Sequence, residues 1–134
     1  MSKRNAMIEV AMKYIDALVS KDPTGVPFAD NAIRFEQGHP DCDSPDEIRE
    51  RLQASAMDAI TGRGPVRWIV EEESGEAVGF LELELAPSGT CRMAERFRIK
   101  DGLIEEIEAL FTIDGLPRSS DDSRTVSQRA RVEN

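Results

Sequence analysis

The sequence predicts an α+β fold in which a curved, mostly antiparallel sheet wraps N-terminal helices to form a cone-shaped barrel. Helical spacing of apolar residues dominates the first half of the chain. Two-residue alternation dominates the second half, and short turns bearing Gly or Pro interrupt it at regular intervals. Residues 1–117 are expected as one domain and residues 118–134, which lack periodic apolar positions, as a C-terminal tail.

From Ala6 to Ser20, the residues Ile8, Ala11, Met12, Ile15, Leu18 and Val19 recur at helical spacing, with Tyr14 flanking the stripe. The tract "KDPTGVPFADN" allows at most a helical turn before "AIRFEQG" begins a strand. In "SPDEIRERLQASAMDAI", Ser44 can cap a second helix, Pro45 suits its first position and Glu47 completes a capping box. After the turn "TGRGP", four extended segments follow: "VRWIVEEE", "AVGFLELELA", "CRMAERFRI" and "LIEEIEALFTI". On propensity alone "LIEEIEALF" passes for a helix, but the short turn "KDG" and the preceding strand favour a hairpin.

Composition excludes several classes. At 134 residues the chain is long enough for a single core, and its net charge of −9 argues against nucleic acid or an anionic membrane as partner. The opening "MSKRNAMIEV" has no apolar secretory core and no run reaches the length of a membrane span, which predicts a cytoplasmic location. Cys42 and Cys91 are too few for a metal quartet or a disulfide framework, and they read as small buried hydrophobes. "GHPDCD" offers His, Asp and Cys at a spacing that matches no metal loop, so no metal or other cofactor is expected.

The chemistry-bearing position is in "CRMAERFRI". Cys91, Met93, Phe97 and Ile99 share one face of a strand and Arg92, Arg96 and Arg98 the other, yet Glu95 falls with the apolar set. An unpartnered carboxylate there costs several kcal/mol, so Glu95 must be held neutral or paired, Arg34 being the available cation. Its face, with Met93, Phe97, Ile107, Ala109 and Phe111, is expected to floor a pocket.

The element order, with "KYIDALVSKD", "FADNAIRFE" and "AERFRIKDGLI", resembles the nuclear transport factor 2-like superfamily of cystatin-like cones, also called SnoaL-like, over roughly residues 5 to 113. The nearest pattern is that of the ketosteroid isomerases. The resemblance implies that Tyr14 binds an oxyanion, that Glu36 is the general base and that Glu95 is a protonated acid beside the tyrosine. It implies an apolar small-molecule substrate bound against Leu52, Trp68, Met93, Phe97, Ile107 and Phe111, and a homodimer formed through the outer sheet face. Both carboxylates are Glu where the isomerases carry Asp, and Leu52 stands where some carry a tyrosine, so the substrate is expected to differ. The expected activity is isomerisation or aldol-type cyclisation of a ketone. Epoxide hydrolysis and a non-catalytic binding or scaffold role are the alternatives. His39, the lone histidine, is a possible auxiliary acid, base or lid residue.

Overall fold

The structure is a computed structural model that describes residues 1–115. The domain boundary at 117 and the tail beyond it lie outside the described residues. The order is helix α1 (Lys3–Ser20), strands β1 (Phe28–Glu36) and β2 (His39–Cys42), helix α2 (Pro45–Gln53), a 3-10 turn (Ser55–Ala59), and strands β3 (Ile60–Arg63), β4 (Arg67–Glu71), β5 (Glu76–Leu85), β6 (Gly89–Lys100) and β7 (Leu103–Asp114). The curved sheet runs β2-β1-β7-β6-β5-β3, with β4 also paired to β5. All pairs are antiparallel except β1 with β7. That parallel pair lies inside the sheet rather than at an edge. None of the helices described is long and apolar enough to cross a membrane.

Helix α1 begins where Ser2 accepts from the Asn5 N–H at 3.1 Å and ends at Lys21 in the left-handed region, φ 64°. Its buried stripe is Met7, Ala11, Tyr14, Ile15, Ala17 and Leu18. The phase is therefore rotated from the expected one: Ile8 and Met12 are only partly buried, and Tyr14 sits mid-stripe, packed edge-on to Phe28 and Phe97. An aromatic body makes Tyr14 a core residue despite its hydroxyl.

Helix α2 is capped by Ser44, which accepts from the Glu47 N–H, while Glu47 reaches back to the Asp43 N–H rather than to that of Ser44. It stops at Gln53, shorter than expected. After Leu52 the 3-10 turn contributes no buried side chain, so no apolar contact holds a longer helix to the sheet. Two short strands, β2 and β3, occupy segments that the sequence presents as loops. Pro40 hides the first; it is tolerated because β2 is an edge strand.

Residues 103–114 form a strand because the preceding turn closes a tight hairpin. Asp101 and Gly102 both have positive φ, 52° and 75°, the twist that joins adjacent antiparallel strands. Along β6 the expected alternation holds, with Cys91, Met93, Glu95, Phe97 and Ile99 buried. On the opposite face Arg96 binds Glu76, Glu106 and Glu108.

Candidate active site: an acid row and one arginine

Strand register sets Glu95 in a continuous row across the sheet: Trp68, Gly79, Glu95, Ala109, Glu36 and His39. The backbones of the two glutamates are two strands apart, about 10 Å at ordinary strand spacing, with the small Ala109 between them. On the other side Gly79 lets an indole lie against the backbone. A Cβ there would stand 2.9 Å from Val66 Cγ1 and 3.1 Å from the Trp68 ring.

Arg34, two residues before Glu36 on the same face of β1, links the site. Its Nε donates to the Tyr14 hydroxyl at 3.0 Å, and its Nη1 donates to Glu36 Oε1 at 2.9 Å and to Asp41 Oδ2 at 2.5 Å. Its Nη2 stands 4.0 Å from Glu95 Oε2. Asp41 binds a second cation through its other oxygen, Arg51 Nη1 at 2.7 Å. Asp41 reaches inward because the β1–β2 register slips between Arg34 and Phe35, leaving Asp41 as an extra residue on β2.

Glu95 is 0% exposed, and neither carboxyl oxygen has a hydrogen-bond partner. Burial pushes its carboxyl from the ordinary 4.5 up to about 7, against the opposing pull of Arg34. Charge counting agrees: the guanidinium groups of Arg34 and Arg51 are matched by Glu36 and Asp41 before Glu95 is added. Burial also raises the Tyr14 phenol well above its ordinary value, so its proton stays on oxygen. The buried thiol of Cys91 is pushed up to about 12 by the same desolvation.

Arg34 thus brings Tyr14, Glu36 and Glu95 together, although no hydrogen bond joins Tyr14 to Glu95. Leu52, Met93, Phe97 and Ile107 are buried in the surrounding core, with Trp68 and Phe111 packed partly buried against it. His39 ends the row exposed to solvent. Sequence reasoning named Arg34 only as a possible partner of Glu95 and missed Asp41 and Arg51 altogether. The bulge that aims Asp41 inward breaks the alternation by which an inward residue is recognised. Met93 and Phe111 line an open depression of about 850 Å³, and another of about 540 Å³ lies beside α1, but none of Tyr14, Glu36 or Glu95 lines either. The acid is closed from solvent in this conformation.

Solved structures share the fold. A protein of unknown function with a cystatin-like fold from Methylobium petroleophilum PM1 aligns with TM-score 0.68 at 20% identity, over 92% of this chain and 84% of that one. The epoxide hydrolase/cyclase-like enzyme SalBIII, of pyran ring formation in the polyether salinomycin, aligns with TM-score 0.72 at 16% identity, over 87% and 100%. An M. tuberculosis LEH-like epoxide hydrolase aligns with TM-score 0.64 at 16% identity, over 80% and 83%. At these identities the likeness is one of fold. No curated protein matches the chain. The family model described as "Domain of unknown function (DUF8021)" matches residues 1–111. By that match the chain belongs to the DUF8021 family, and its fold is the cystatin-like cone of nuclear transport factor 2-like and SnoaL-like proteins.

Proposed function

We propose that the chain is an acid/base enzyme acting on a mostly apolar small molecule that bears a ketone, by isomerisation or aldol-type cyclisation. One observation carries this reading: a fully buried carboxyl group with neither oxygen hydrogen-bonded, beside a buried phenol. A neutral Glu95 and the Tyr14 hydroxyl would donate to the oxygen that gains charge as an enolate forms. Arg34 already donates to the Tyr14 oxygen, which leaves the phenolic proton for another acceptor. Glu36 would take the proton from the adjacent carbon. Met93, Phe97, Ile107, Phe111, Leu52 and Trp68 would supply the apolar wall.

The guanidinium between the carboxylates favours a second reading, epoxide opening, in which Glu36 activates water and Glu95 protonates the ring oxygen. Closure of the cup over Glu95 favours a third, a non-catalytic binding or scaffold role. Turnover of enone and epoxide probes by wild type and Glu36→Gln separates them. The enzyme readings predict a loss of roughly 10²- to 10⁴-fold in turnover with ligand binding retained. Ligand binding with no turnover of either probe would leave the scaffold reading.

A further inference from the structure

Asp41 has no part in the acid/base scheme, yet it makes the shortest of the contacts to Arg34. Arg34 has one guanidinium for several oxygen partners. Nε is committed to Tyr14, Nη1 is shared by Glu36 and Asp41, and Nη2 alone approaches Glu95, at 4.0 Å. That last gap exceeds a hydrogen bond. Asp41 is itself fixed from α2 by Arg51 and from β2 by the bulge.

We propose that Asp41 is a positioning residue: by holding the Arg34 guanidinium toward β2, it keeps that cation out of hydrogen-bond reach of Glu95 and so preserves Glu95 as a neutral donor. The inference rests on the reading of Glu95 as the acid. The titratable and charged groups around Glu95 are Tyr14 from α1, Arg34 and Glu36 from β1, Asp41 and Cys42 from β2, and Cys91 on β6 itself, with Arg51 of α2 behind Asp41. From β4, β5 and β7 the neighbours in its row are Trp68, Gly79 and Ala109, none of which titrates. Among these groups Arg34 is the cation nearest Glu95, and Asp41 and Glu36 both draw its Nη1 away. A guanidinium in contact lowers a carboxyl pKa by about 1 to 3 units, enough to ionise Glu95 at neutral pH.

The test follows the Glu95 carboxyl by ¹³C NMR across pH in the full chain, with Glu95→Gln assigning the signal. In Asp41→Asn the midpoint should fall by about one pH unit or more, because a negative charge is lost and Arg34 is released. In Arg51→Gln it should rise, because a positive charge is lost and Asp41 is left to Arg34. General loosening of the site would move both variants in one direction. Movement in the same direction, or no movement in Asp41→Asn, overturns the inference and leaves the acid reading intact. A wild-type Glu95 already ionised at pH 5 overturns both. Should Asp41→Asn fail to fold, Asp41→Glu decides, because it keeps the charge and displaces the Arg34 contact: a lowered midpoint supports the inference, and an unchanged or raised one overturns it.

Discussion

Glu95 Oε2 lies 4.0 Å from Arg34 Nη2, inside a core where Glu95 is fully buried and Arg34 nearly so. The pair is close enough for attraction and too far apart for a hydrogen bond. Glu95 is therefore a desolvated acid near a cation already engaged elsewhere.

Stability should fall as pH rises from about 4.5 to about 7 and then level off, because the folded chain binds a proton at Glu95 that the unfolded chain releases. The sign follows from a folded value above the unfolded one. At about 1.4 kcal/mol per pH unit, the interval costs roughly 3 kcal/mol. Urea denaturation of wild type and Glu95→Gln at pH 5 and pH 8 checks it: the variant should lose this component of the slope and match or exceed wild type at pH 8. Strong destabilisation of Glu95→Gln at pH 8 would instead mark an ionised partner of Arg34.

Arg34→Met should destabilise by about 3 to 5 kcal/mol, since it removes the cation that Glu36 and Asp41 share in a half-dry site and the donor to Tyr14. The shift in urea midpoint at constant slope measures it.

Much of this arrangement was legible in the sequence. The period of "CRMAERFRI" alone assigns Glu95 to the buried face, where Met93–Phe111 and Phe97–Ile107 are cross-strand neighbours. The phase of α1 was not legible, because a hydropathy stripe counts Tyr14 as marginal whereas its ring packs like a hydrocarbon. Nor was the Arg34 network. It depends on a parallel pairing between residues more than 70 positions apart and on a bulge in a four-residue edge strand, and no local pattern encodes either.

Gly79→Ala should displace Trp68. The added methyl meets Val66 and the indole at about 3 Å, and overpacking of this kind costs about 1 to 3 kcal/mol. Trp68 is the only tryptophan, so its fluorescence reports the change directly. An unshifted emission maximum with unchanged stability would show that the ring does not rest on the Gly79 backbone.

The protonation state of Glu95 at neutral pH tests the central claim most directly. Infrared difference spectra between wild type and Glu95→Gln should show a protonated carboxyl band at pH 5 that is lost with a midpoint near 7. A band already absent at pH 5, with only ionised carboxylate in its place, would contradict the account.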